Sequence, residues 1–211
     1  MAVVERTTLT PDANDYQVVS DLFYKTNNCL TIQSIEAVKN DNLELKFKDK
    51  QEEYKDTYGE VRVVKVWHGT KSRNVDSILE NNFDVSRHGQ NRGHRFGAGV
   101  SFSAITFYAS HYCDEDEDLR SMLLCEVLVS NIVEVPETKG RMPPQPPFLP
   151  GRHPLRYDTL AKDKEKMDVI VKMDANAFRP THVVNFKKTG CRRFSWSWLD
   201  DSDDDDSDYG F

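Results

Sequence analysis

Hydrophobic positions recur along this chain with two different periods, and the change of period marks the elements. Tyr16, Val19 and Phe23 fall on one face at helical spacing with Leu22 beside them, and Thr10-Pro11-Asp12 reads as the helix start. Leu30 to Val38 alternates and is rich in β-branched residues, which predicts a strand. Leu43 to Phe47 also alternates, yet the charged run up to Tyr54 favours a helix, so the pattern leaves both open. Val61 to Trp67 predicts a strand, and Lys71 to Asn82 a helix whose inner face carries Val75, Ile78 and Leu79. Ala104 to Tyr112 predicts a short helix. Leu123 to Val135 predicts one long, nearly buried strand. Glu137 to Arg156 holds six prolines between Pro143 and Pro154 and reads as an irregular surface loop. Val169-Ile170-Val171 and His182 to Phe186 read as the last two strands. Short strands with few helices predict an α+β domain with mostly antiparallel pairing, and no internal repeat interrupts it.

Composition adds a tail to this picture and removes some function classes. The 211 residues suffice for one full core. No apolar run approaches the roughly 18 to 20 residues of a membrane span. Met1 to Arg6 lacks a secretory hydrophobic stretch, so the expected location is cytoplasmic or nuclear. The net charge is −7, but seven aspartates lie between Asp200 and Asp208; without them 28 acidic residues face 28 basic ones. A balanced body argues against binding a nucleic-acid backbone. The expected organisation is a globular domain over 1–190 and an acidic, disordered tail over 191–211, either a solubility tail or a docking element for a basic partner. Cys29, Cys113, Cys125 and Cys191 match no zinc spacing, so reduced thiols and no metal are expected. His88, His94 and His111 lack ligand partners at suitable spacing.

The candidate chemistry lies between Val66 and Tyr112. A polar His68-Gly69-Thr70 follows the strand Val61 to Trp67, and a Gly97-Ala98-Gly99 turn comes about thirty residues later. A glycine can bring its backbone N–H and C=O against both sides of a flat carboxamide. A histidine before it can hold a sugar hydroxyl, and an aromatic ring such as Tyr112 can stack on the ligand face. Each residue has a plainer reading: His68 as a structural histidine, the glycines as turn residues, Tyr112 as a core ring. Ser101 can equally face solvent, Asp168 can be a surface charge before a strand, and Arg87, Arg92 and Arg95 can either steer a pyrophosphate or line a solvated loop.

His68-Gly69-Thr70, Asn82-Phe83-Asp84, the Gly-x-Gly turn and Tyr112, in this order and at these intervals, resemble the catalytic domain of poly(ADP-ribose) polymerase-like ADP-ribosyltransferases. Ile35-Glu36, Asn42-Leu43, Tyr157-Asp158-Thr159 and Pro180-Thr181-His182 resemble its small mono-ADP-ribosylating branch. The likeness runs from about Asp15 to about Phe186. It implies an ADP-ribosyltransferase fold: mixed, mostly antiparallel sheets split around an NAD cleft, with a few flanking helices. It also implies transfer of one ADP-ribose from NAD to a protein side chain, with release of nicotinamide. The family's His-Tyr-Glu triad maps to His68, Ser101 and Asp168 as catalytic residues; a slip of the alignment puts Met167 in the third place. His68, Gly69, Thr70, Ser110 and Tyr112 would bind NAD. The family's carboxamide-bonding serine falls at Ala109, with Ser110 adjacent. The bond broken passes through an oxocarbenium-like state that a carboxylate stabilises, and an Asp is one methylene shorter than a Glu. Chain elongation is therefore not implied. The departures at Ser101 and Ala109 imply, as the alternative, a catalytically silent relative that serves as a binding module. The implied partners are NAD and a protein acceptor, with no metal.

Overall fold

The computed structural model describes residues 3–27, 29–87, 95–114, 118–138 and 145–189. The acidic tail, His88, Arg92, His94, Cys191 and most of the Gly89–Gly99 loop lie outside the described residues.

The chain runs β1 (Glu5–Thr8), α1 (Asn14–Lys25), β2 (Leu30–Lys39), α2 (Asp41–Tyr58), β3 (Arg62–Gly69), α3 (Ser72–Asn81), a 3-10 turn (Val85–Arg87), β4 (Val100–Phe102) and α4 (Thr106–Ser110). It continues with β5 (Arg120–Val129), β6 (Ile132–Glu134), β7 (Thr159–Ala161), β8 (Ile170–Lys172) and β9 (Phe178–Lys188). Five strands form an antiparallel sheet in the order β1-β2-β9-β5-β3. Four form a second sheet, β4-β8-β7-β6, in which only β6 and β7 are parallel. This is the α+β architecture with mostly antiparallel pairing that the sequence predicts, with one sheet wholly antiparallel and the other mixed.

The alternation of β5 builds both faces of the large sheet. Met122 and Leu124 point to one face, where Val19 and Phe23 of α1 cover them. Leu123, Cys125, Val127 and Val129 point to the other, against Val75 and Leu79 of α3 and against Phe102 and Ile170 of the small sheet. The core is thus a three-layer stack: α1, large sheet, then α3 with the small sheet.

The ambiguous segment Leu43 to Tyr54 is helical. Leu43, Phe47 and Tyr54 are its buried residues, at helical rather than alternating spacing, and Asn40 caps it by accepting from Leu43 N–H at 3.2 Å. The single long strand expected over Leu123 to Val135 is instead two strands in different sheets. The break falls at Ser130 and Asn131, whose N–H groups both donate to the Asp158 carboxylate. That side chain supplies the partners a continuous ladder would have supplied, and the chain turns there into the small sheet. The expectation of four thiols also fails. Cys29 is disulfide-bonded, while Cys113 and Cys125 are buried thiols.

Candidate functional site

Strand β3 is the edge of the large sheet, and its free side faces β4 of the small one. The two sheets touch at one antiparallel bridge: Trp67 N–H donates to Ser103 C=O at 2.7 Å, and Ser103 N–H to Trp67 C=O at 2.9 Å. In a strand, the N–H and C=O of every second residue point the same way. Those of Gly69 therefore point where Trp67's do, one step past the bridge. The ladder does not continue there, so both groups face the opening between the sheets. Ser101, two residues before Ser103, stands opposite.

Alternation also divides the side chains. Val66 and His68 face the layer of α3 and the small sheet; Trp67 and Gly69 face the other. The His68 ring sits edge-on to Phe83 (4.6 Å between centroids) and Phe102 (5.7 Å). Its Nδ1 lies 2.9 Å from the Ser101 carbonyl. A carbonyl only accepts, so Nδ1 carries the proton, and in the neutral ring Nε2 is an acceptor. No protein partner occupies Nε2 among the described residues. Burial among the phenyl rings lowers the His68 pKa to about 4, opposed by the Ser101 hydrogen bond. The ring is neutral at physiological pH and offers its lone pair to a hydroxyl.

Gly69 has no alternative at its position. A Cβ there would lie 1.8 Å from the Ala109 carbonyl oxygen and 3.1 Å from the Tyr112 Cβ. Helix α4 is thus pressed against the β3 backbone, which puts the root of the Tyr112 ring beside Gly69. Two contacts hold α4 at its start: Thr106 N–H donates to Thr26 Oγ1 and Ile105 N–H to Ser103 Oγ, each at 2.9 Å. Two more join its end to the chain after β3. Lys71 Nζ donates to the Cys113 carbonyl at 3.0 Å, and Ser72 N–H to the Asp114 carboxylate at 2.7 Å. Cys113 itself is buried, which pushes its thiol up to about 12, so it packs and does not react.

The remaining expected site residues divide into free and committed groups. Tyr112 is exposed at the edge of the opening, and its hydroxyl meets that of Tyr108 at 2.9 Å. The Thr70 hydroxyl accepts from Asn74 at 3.2 Å, and the Ser110 hydroxyl donates to the Phe107 carbonyl at 2.7 Å, within its own helix. Ser101 is half-buried on β4 and pairs with Val171 of β8. Asp168, just before β8, is buried rather than on the surface. It accepts from Val169 N–H at 2.8 Å, and its other oxygen lies 3.5 Å from Lys162 Nζ. Arg95 pairs with Glu137 at 2.7 Å. No group of three His, Cys, Asp or Glu side chains is placed to hold a metal among the described residues.

Sequence reasoning passed over three contributors. Phe83 lay within the Asn-Phe-Asp motif but carried no role; Asn82, with φ of 67° and its amide on the Phe178 carbonyl at 2.8 Å, turns the chain so that Phe83 meets His68. Asp114 had no periodic signal. Tyr108 did, at i−4 from Tyr112.

The profile of the poly(ADP-ribose) polymerase catalytic domain matches residues 13–177. Among curated proteins, protein mono-ADP-ribosyltransferase PARP12 of Mus musculus is 27% identical over 184 residues, which is 86% of this chain and 25% of that protein. Protein mono-ADP-ribosyltransferase PARP11 of Mus musculus is 26% identical over 200 residues, 84% of this chain and 59% of that protein. Poly [ADP-ribose] polymerase 2 of Caenorhabditis elegans is 40% identical over 67 residues, 31% of this chain and 12% of that protein. The chain thus spans from an eighth to somewhat over half the length of these relatives.

Proposed function

The chain belongs to the poly(ADP-ribose) polymerase catalytic domain family, and from that premise we propose that it is a mono-ADP-ribosyltransferase, moving one ADP-ribose from NAD to a protein side chain. The observation that carries this reading is the open pair of backbone groups on Gly69, aimed past the Trp67–Ser103 bridge. A flat carboxamide needs one donor and one acceptor in one plane, and a strand edge offers that pair. Tyr112 stands beside it for the pyridine face. His68, neutral with Nε2 open, accepts from a ribose hydroxyl. In the reaction the bond from ribose C1′ to the nicotinamide nitrogen breaks, and its electron pair leaves with nicotinamide. The acceptor atom then bonds to C1′, and its proton passes to a carboxylate or to water. Asp168 is the carboxylate in the matching position, but it must first leave Lys162.

That commitment of Asp168, and the lack of a ring at Ser101, supports a second reading: a domain that binds the dinucleotide without turnover. Incubation with labelled NAD separates the two. Label on the protein that is lost in His68→Ala fits the transferase. An NAD-dependent thermal shift without label fits the silent binding module. Absence of both overturns the slot itself.

A further inference from the structure

Tyr108 lies at the centre of contacts that the reading above does not use. Its ring packs on the cluster of Phe96, Leu160, Val169 and Val171, and Val171 is the cross-strand partner of Ser101. It therefore sits next to the place where the family pattern has a tyrosine and this chain has a serine. Its hydroxyl meets the Tyr112 hydroxyl at 2.9 Å, with the ring centroids 5.6 Å apart and tilted by 59°. Tyr112 is otherwise an exposed side chain at the rim, with no ring at position 101 to face it. We propose that Tyr108 is a positioning residue: by tying Tyr112 to a ring that is itself partly buried against the core, it fixes the one aromatic wall of the slot in its ligand-receiving orientation.

The physical argument rests on entropy. An exposed tyrosine samples several rotamers, and a ligand that needs one of them must order the ring on binding. A second wall would impose that order sterically, and Ser101 is too short to do so. A hydrogen bond from a ring already locked in a core cluster achieves it in advance. Burial pushes the Tyr108 phenol well above its ordinary pKa, with the Tyr112 hydroxyl adding to the effect, so Tyr108 keeps its proton at any physiological pH. Either hydroxyl can donate.

This inference rests on the reading of the Gly69–Tyr112 opening as a nicotinamide slot, and the test separates the two. The probe is nicotinamide, with its affinity measured by calorimetry on the wild-type chain, Tyr108→Phe, Tyr112→Phe and the double variant. Each single variant is expected to bind about three- to tenfold more weakly, the range of one hydrogen bond. The double variant is expected to bind no more weakly than either single one, since both remove the same bond. Melting temperatures are recorded on the same samples. Wild-type binding with unchanged affinity in Tyr108→Phe overturns the positioning role, whatever the melting temperature does. Independent, additive losses in the double variant overturn it too. No binding by the wild type removes the slot reading, and the proposal with it.

Discussion

Two polar centres, one buried and one half-buried, lie within one strand pair of each other, and they are built in opposite ways. At Lys172, 0% exposed, the ammonium uses all three of its donors: Asp158 at 2.7 Å, Thr159 at 3.0 Å and Tyr54 at 3.2 Å. Asp158 is equally occupied, by Lys172, Thr159, Ser130 and Asn131. Nothing is left over for a ligand. At His68, on the far side of β4, one nitrogen is fixed by a backbone carbonyl and the other is open. Gly69 beside it presents two more unused backbone groups. Completed hydrogen bonding makes a brace, and hydrogen bonding left incomplete at one edge makes a site. The family match gives no signal for this distinction, since Lys172 and His68 both fall within it.

The sharpest way to break the comparison is at the brace. Lys172→Met strands Asp158 in the core without its cation, a change that costs about 3–5 kcal/mol. Burial already lowers the Lys172 pKa, against the pull of Asp158, so the pair is held only by its partners. Denaturant unfolding should show that loss, while nicotinamide affinity of the folded fraction stays within about twofold of wild type. A variant with normal stability and lost affinity would place the ligand at the wrong centre.

Gly69→Ala tests the other side. Its Cβ would overlap the Ala109 carbonyl, so α4 must retreat from β3. Overpacking of this kind costs about 1–3 kcal/mol, less than the brace variant. The effect on the slot should be larger than on the fold: α4 carries Tyr112 away, and nicotinamide binding by calorimetry should vanish. Retained binding in this variant would show that Gly69 serves packing alone.

These two variants also show how far the sequence could be read. The strand ending at His68-Gly69 was legible because the β-branched run stops abruptly at a polar residue followed by one without a Cβ. The small sheet it faces was not, because β4 and β7 are three residues each, too short for a period to register. β1 escaped for another reason: all four of its residues are exposed, so it has no hydrophobic face. The site was half-legible. Glycine and histidine announce their roles by type, whereas Asp168 and Ser110 gave no hint that Lys162 and the Phe107 carbonyl would occupy them. Lys172 carried no reading from the sequence, since its partners come from α2 and β7 and cannot be seen locally.

The finest difference between a site and a clamp should emerge on acidification. His68 has a pKa of about 4 in the fold against 6.5 for the free side chain. As pH falls below about 6.5, the unfolded chain takes up the proton first, so stability declines down to about pH 4 and then levels off. His68→Gln should remove that slope, bringing variant and wild type closer as pH drops through this window; parallel curves would mean that the imidazole is free to protonate in place. Asp114 works below it. The hydrogen bonds from Ser72 hold its carboxyl beneath the usual value of 3.8, so its contribution is intact above that pH and fades as pH falls further. Asp114→Asn loosens the junction between α3 and the end of α4 and should cost about 0.5–2 kcal/mol at neutral pH, as a lost helix cap does. That difference should persist unchanged from pH 7 to 4, where the His68 slope is at work, and shrink only below. If the Asp114 variant instead altered the slope above pH 4, the clamp and the slot would be one coupled unit rather than two neighbours at the end of β3.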